Sequence, residues 1–546
     1  MKKIISLTVL SLLIAGGASA QTMYDAANIA GKDLNGTARF VGMGGAMGAL
    51  GGDISTIGTN PAGIGIYRSN DVMTSFGLSA YGTESTFSGN KFNADKTRGA
   101  FDNIGIVFAS KIGNQTPLRY VNFGFNYKRA KSFNRNMAMG GNIGMNSQTF
   151  QMATQANGIE GWGSNPYNDN NIGWLSILGY DSGLINDLMS QPDLNQALQG
   201  NPNLKYEKYL DDNGNQVKDI NGNPMYITSG SFRGMYDNAN VKFNSQERGG
   251  IDQYDFNVSF NFNDRVYLGA TVGAYAVDYS KYSFYDEDYG NDEGYNIQSW
   301  NKIKGSGFDL KLGVIVRPFE YSPLRVGLAV HTPTFYNLEL ATSARVESDV
   351  YNALTGKVDA LDIDTYSELK NKDMVREFNL NTPWTYNVSL GYTVGSNLAL
   401  GAEYEYQDYA SMRFNYPEGG DMTYETSTAK DMLKGVHTLR LGAEYKVIPQ
   451  FAMRAGYNYS TGAYKNDAYK DLPYNSINTD TDFANAKSMN NYTLGMGYRG
   501  SLFYADLAYK YTTYKSDFYA FDSVDLAKTD VTNIRSQVLL TLGMRF

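Results

Sequence analysis

From Tyr254 the chain alternates strictly. Tyr254, Phe256, Val258, Phe260 and Phe262 are apolar, and Asp255, Asn257, Ser259 and Asn261 between them are polar. After Asn263-Asp264 the alternation resumes, with Val266, Leu268, Ala270 and Val272 on one parity and Tyr267, Gly269, Thr271 and Gly273 on the other. The same period of two returns at Phe308–Val316, Leu324–Val330, Trp384–Tyr392, Leu398–Tyr406, Leu439–Val447 and Phe451–Tyr459. A period of two predicts β-strands, whose successive side chains point to opposite faces. One face is apolar with Tyr, Phe or Trp at its ends. The other carries Gly, Ser, Thr and charge. This is the pattern of a wall between lipid, with its aromatic girdles, and a hydrated lumen.

Fourteen strands are predicted: Asp71–Tyr81, Asn103–Lys111, Arg119–Arg129, Asp252–Phe262, Arg265–Tyr279, Gly305–Arg317, Leu324–Asn337, Thr382–Val394, Asn397–Ser411, Val436–Val447, Gln450–Ser460, Asn490–Arg499, Ser501–Thr513 and Ile534–Phe546. Their connections alternate between short turns and long loops, the longest being Ala130–Ile251. Short periplasmic turns and long external loops characterise single-chain outer-membrane barrels, and an even count returns the chain to its starting side. A tandem of secreted β-sandwiches predicts no such alternation. The expected fold is therefore all-β, a 14-stranded antiparallel transmembrane β-barrel over residues 71–546, with a large extracellular insertion at 130–251.

The N-terminus adds an export signal. Lys2 and Lys3 precede an apolar run from Ile4 to Ile14, and Ala18-Ser19-Ala20 is a small-residue cleavage site with Gln21 after it. The run is shorter than the roughly 20 residues a spanning helix needs. Residues 1–20 are expected to be a signal peptide and the bacterial outer membrane the destination. With no Cys and a net charge of −8, the composition excludes disulfide scaffolds, thiol nucleophiles and a nucleic-acid partner held by a basic patch.

Between the cleavage site and the first strand, residues 21–70 are Gly-rich and semi-apolar, including Gly44-Gly45 and Asn60-Pro61-Ala62. The glycines do not fit a phosphate-binding loop. A fourteen-stranded lumen is wider than its own side chains can fill, so this stretch is expected to be a compact plug. At the other end, Val538, Leu540, Leu542, Met544 and Phe546 alternate to the last residue.

The Gly-rich stretch ending in Asn60-Pro61-Ala62 resembles the hatch of the FadL/TodX family of outer-membrane transporters for hydrophobic compounds. His331-Thr332-Pro333-Thr334, Leu400-Gly401-Ala402-Glu403-Tyr404, Leu439-Arg440-Leu441-Gly442-Ala443-Glu444-Tyr445 and Met453-Arg454-Ala455-Gly456-Tyr457 resemble the family too. The form is similar to its Bacteroidetes branch, often labelled hemin receptors. The resemblance implies passive uptake of long-chain fatty acids or similar compounds, with external capture, a gating hatch (Gly44, Gly45, Asn60, Pro61, Ala62) and lateral exit at a kink in the third strand. The third strand holds Gly124 but no Pro, so its sequence does not display the kink. The terminal Phe546 resembles the signal read by the barrel-assembly machinery. The partners implied are hydrophobic small molecules, fatty acids or hemin, and outer-membrane lipid.

Within the insertion, Trp174, Leu175, Ile177, Leu178, Leu184 and Leu188 cluster at roughly helical spacing. Two readings stand: an exposed apolar surface that captures ligand, and a helix packed on its own loop. Hemin would ask for an axial ligand, but the chain has only His331, inward by parity, and His437, outward. No cofactor, metal site or catalytic constellation is expected, and the protein is read as a non-enzyme. The inward charges Glu403, Glu405, Arg440, Glu444, Arg454, Arg499, Asp506 and Lys510 are expected to form a cross-strand ionic lattice. A general porin or purely structural barrel is the alternative class.

Overall fold

The computed structural model describes residues 21–159, 166–211, 213–228, 231–235 and 238–546. The expected signal peptide 1–20, and with it Ala20, lies outside the described residues. Fourteen antiparallel wall strands close on themselves. They are β1 (Asp71–Phe87), β2 (Asn90–Lys111), β3 (Leu118–Ser132, continued as Arg135–Asn142), β4 (Asn240–Phe262), β5 (Val266–Gly290), β6 (Glu293–Val316) and β7 (Arg325–His331, continued as Phe335–Asn352). The ring continues with β8 (Met374–Asn381 and Thr385–Val394), β9 (Leu398–Asp408), β10 (Gly435–Ile448), β11 (Phe451–Ser460), β12 (Phe483–Arg499), β13 (Phe503–Tyr519) and β14 (Thr529–Arg545). The β1–β14 ladder, from Asp71↔Arg545 to Thr86↔Asp530, seals the cylinder. Closure leaves no sheet edge, which is what a strand protein in lipid requires.

The alternation resolves as expected. Phe256, Phe308, Leu328, Val388, Leu441, Leu494 and Leu540 are exposed on the outside, while Asp255, Ser259, Glu403, Arg454 and Asp506 on the opposite parity are buried. Exposed apolar side chains form the outer face of the wall, the face that lipid covers in an outer-membrane-type barrel. No helix among the described residues is long and apolar enough to cross a membrane. Asn263 and Asp264 both take φ near +60°, the two-residue turn that matches strand twist. Phe546 closes the seam through its backbone, its N–H donating to Asn70 O at 3.2 Å and its carbonyl accepting from Asn70 N at 3.0 Å. Its ring is exposed.

The strands outrun their expected ends on the external side. The stretch Gly82–Asp102, expected as a loop, is the upper part of the β1–β2 hairpin, turning at Ser88-Gly89. Ser280–Lys304 likewise continues β5 and β6 to a turn at Asn291-Asp292. The insertion outside the wall is 143–239, shorter than 130–251, because β3 runs to Asn142 and β4 begins at Asn240.

Residues 21–70 lie inside the cylinder. Helix α1 (Met23–Ala30) starts on a capping box formed by Thr22 and Asp25, and sits high, with Tyr24 stacked on Tyr464. Helix α2 (Ala38–Gly42) and two 3-10 turns, Ile54–Gly58 and Pro61–Ile66, make a lower layer before Arg68 leads into β1. Above, the insertion folds over helices α3 (Thr149–Ala156) and α4 (Trp174–Asp181).

Candidate functional site: a plugged lumen with a roofed cavity and a wall seam

The lower layer fits its barrel through wall glycines. A Cβ on Gly313 would lie 2.1 Å from Asn60 Oδ1, one on Gly401 2.0 Å from Ala46 O, one on Gly442 2.3 Å from Met43 O, and one on Gly456 2.1 Å from Gly44 N. These inward glycines, expected to line open water, instead seat the plug, Gly313 against the Asn60 side chain and the other three against backbone. Gly44 and Gly45, at φ +61° and +80°, make the tight turn that reaches this seat. Asn60 is fully buried. Its Oδ1 accepts from Ala62 N at 3.2 Å, capping the Pro61–Ile66 turn, and its Nδ2 donates to Val314 O at 3.3 Å. Pro61 O accepts from Ser259 Oγ at 2.8 Å and from Asn257 Nδ2 at 3.3 Å. The predicted hatch residues thus sit against two parts of the wall, Asn60 and Pro61 against β4 and β6, and Gly44 and Gly45 against β10–β11.

The ionic lattice is present and extends into the plug. Arg440 pairs with Glu403 and Glu405, and Arg454 pairs with Glu444 and Asp506 at 2.6 Å each. From the plug, Arg39 grips Glu444 with Nε at 2.8 Å and Nη2 at 3.0 Å. Such a bidentate grip fixes orientation as well as charge. Asp33 likewise pairs with Arg535 at 2.6 Å. Arg499, expected in the lattice, instead lies over the Tyr504 ring at 5.4 Å, and Lys510 donates to Leu34 O.

Above the plug is a cavity of about 420 Å³. Its floor includes Lys32, Leu34, Phe40, Gly58 and Thr59, and its roof includes Tyr464, Lys470, Asn478, Asp480 and Asp482. Ten Lys and Arg side chains border it against six Asp and Glu, so it is cationic inside a chain of net charge −8. Lys32 and Lys128 border it without an ion pair or hydrogen bond among the described residues. Tyr24, Leu340, Tyr409 and Phe483 supply apolar wall.

The wall beside this cavity is incompletely paired. The β2–β3 ladder runs from Lys111↔Tyr120 to Asn103↔Lys128 and stops. Beyond it β2 pairs only with β1, and β3 only with β4. β3 is itself interrupted at Phe133-Asn134, beyond the expected strand end at Arg129. Side chains bridge the seam. Tyr81 and Ser132 hydroxyls meet at 2.9 Å, Thr83 Oγ1 donates to Asn136 O at 2.7 Å, and Arg98 Nη1 donates to Asn134 Oδ1 at 3.0 Å. Thr83, Ala94, Lys128 and Ser132–Asn136 also border the cavity.

The expected capture residues stand differently. Trp174, Leu175, Ile177, Leu178 and Leu184 are each no more than 1% exposed. Leu188 lies half-buried in a short strand, Leu188–Ser190. They form the apolar core of the roof, so the exposed-surface reading is corrected in favour of a helix packed on its own loop. Their uniform apolarity satisfies burial and exposure equally, and only the surrounding contacts decide. His331 is buried and inward, Nε2 lying 2.9 Å from Thr59 O, while His437 is outward and hydrogen-bonds the Tyr404 hydroxyl at 2.7 Å through Nδ1. The two rings face opposite sides of the wall.

A closed fourteen-stranded barrel with an internal plug, a roofed cavity and a side seam is the class this geometry defines. Solved structures of similar shape include the Pseudomonas putida toluene transporter TodX (10% identity, 94% of this chain and 99% of that one, TM-score 0.42). A Pseudomonas aeruginosa FadL homologue (13%, 97% and 99%, 0.46) and the Ralstonia pickettii toluene transporter TbuX (12%, 94% and 99%, 0.43) are others. At these identities and TM-scores the likeness adds nothing to what the barrel's own geometry carries. No protein-family model and no curated protein matches the chain.

Proposed function

We propose that this protein is a passive outer-membrane transporter of hydrophobic compounds, with residues 21–70 as its plug and the β2–β3 seam as its lateral exit. The observation that carries the reading is the continuity of cavity and seam: a cavity lies between plug and roof, and residues of the unpaired wall border it. An apolar solute leaving sideways into lipid avoids a passage through water. The lone cations Lys32 and Lys128 favour an amphipathic anion such as a long-chain fatty acid over a neutral hydrocarbon, because a buried carboxylate needs a charged or hydrogen-bonding partner. Hemin, with its acidic side chains, meets the same cations, but the His331 ring already spends one nitrogen on the plug and His437 faces outward.

The test is ligand identity. Full-length protein, delipidated in detergent, is titrated with palmitate, hexadecanol, toluene and hemin. Palmitate is expected to bind saturably and more tightly than hexadecanol. Saturable hemin binding with no binding of palmitate, hexadecanol or toluene would overturn the reading. A steady open-channel conductance of the intact protein would favour a general porin instead.

A further inference from the structure

The segment Thr461–Asp482 joins β11 to β12, yet its far part is fastened to β5 and β6, six strands away around a ring of fourteen. It therefore spans the mouth of the barrel. Seven consecutive residues, Ser476–Asp482, are buried. Three wall side chains hold them. Lys281 Nζ reaches Asp480 Oδ2 at 2.7 Å and Asp482 Oδ2 at 2.8 Å, Ser283 Oγ donates to Asp480 Oδ1 at 3.1 Å, and the Ser299 and Thr479 hydroxyls meet at 2.7 Å. Lys470, from the same segment, completes a group of two lysines and two carboxylates. Burial and then the neighbouring Asp480 push the Asp482 carboxyl up, while Lys281 and Lys470 outweigh burial and hold Asp480 down. The insertion rests on this strap, with Trp174 N donating to Ser476 O at 2.9 Å and Gln148 Nε2 to Thr481 Oγ1 at 2.7 Å. Tyr464, Lys470, Asn478, Asp480 and Asp482 form the cavity roof, so the strap, with the insertion above it, stands between the outside and the cavity.

We infer that Thr461–Asp482 is a gate: its far part, with the α4 core above it, lifts from β5 and β6 to admit ligand, and the polar fastening at Lys281, Ser283 and Ser299 sets how often it does. Two features fit a reversible latch. The fastening is made of side-chain ion pairs and hydroxyl contacts, with no β-ladder between strap and far wall. Buried charge clusters of this kind specify one arrangement without adding much net stability, since desolvation offsets attraction. The inference rests on the transport reading.

The chain has no cysteine, so an engineered pair reports cleanly. In the Ser299→Cys/Thr479→Cys double variant, the hydroxyl spacing places the two sulfurs within reach of a disulfide. Full-length protein in lipid vesicles is oxidised, bond formation is read by loss of free thiol, and palmitate association is followed by stopped-flow fluorescence. Oxidation is expected to slow association at least about tenfold, with recovery in dithiothreitol; 1.4 kcal/mol corresponds to that factor. An unchanged rate in the oxidised protein overturns the gate. If wild type and reduced variant bind no palmitate, the transport reading fails instead. Asp482→Asn supplies a second test: replacing the carboxyl that meets Lys281 with an amide weakens the latch and is expected to speed association severalfold, and an unaltered rate in a barrel that keeps its heat-modifiable gel mobility also counts against the gate.

Discussion

Single residues show where the period-two pattern carries more than strand identity. Gly313, Gly401, Gly442 and Gly456 fall on the inward parity, where sequence alone reads a hydrated lumen, but each stands against the plug, Gly313 against the Asn60 side chain and the other three against backbone. Their role was hidden because the contact is made by residues some 250 to 410 positions earlier, and no local signal encodes it. Asn60-Pro61-Ala62 was legible as a turn, since Asn caps and Pro opens a short helix, and its seat on Gly313 was not. This makes Gly442→Ala informative. The new methyl would press on the Met43 carbonyl, a backbone atom that cannot swing aside. Overpacking of this kind costs about 1–3 kcal/mol. The expected outcome is a barrel that keeps its gel mobility while the plug around Met43 becomes susceptible to protease. A plug as resistant as in wild type would show that the seat is looser than the contact implies.

At the scale of elements, all fourteen strands were legible, and their external ends were not. The reason is physical. Within lipid one face must be apolar, so pairing and hydropathy share a period. Above the membrane the ladder continues, as in Thr83↔Ala94 and Ser85↔Phe92, but water or the insertion meets both faces and the alternation fades. The break at Phe133-Asn134 has no Pro to announce it; it lies just past the last β2–β3 pair, Asn103↔Lys128. Helix α4 was found correctly as an apolar cluster, but its surroundings come from distant segments such as Ser476. The parting of β2 and β3 predicts an exchange pattern. Amides on the free edges of residues 90–102 and 129–142 lack a ladder partner on one side, whereas residues 103–111 are paired on both over most of their length. Hydrogen–deuterium exchange of the protein in lipid is expected to be markedly faster in the first two segments. Equal protection throughout would mean that the seam is closed in the membrane.

For the whole molecule, the question is whether the barrel needs its plug. The wall's hydrogen bonds run strand to strand through all fourteen ladders and close at Asp71↔Arg545, with no strand contributed by residues 21–70. The plug meets the wall through side chains and close packing, at Arg39–Glu444, Asp33–Arg535 and the glycine seats. Removing Thr37–Ile64 would leave Glu444 paired with Arg454 and Glu403 with Arg440, now bathed by water. Neither carboxylate would be stranded without a cation, so the large penalty of a lone buried charge does not arise. The deletion is therefore expected to yield a folded, heat-modifiable barrel whose conductance in planar bilayers exceeds that of the intact protein severalfold, because a ring of this size encloses more space than its side chains occupy. The strap above would remain, so current through the deleted form should flicker instead of holding steady, and it should fall when the Ser299→Cys/Thr479→Cys lock is added and oxidised. A conductance equal to that of the intact protein would reject residues 37–64 as the plug. A deletion that fails to assemble would show that these residues template the closure of the wall.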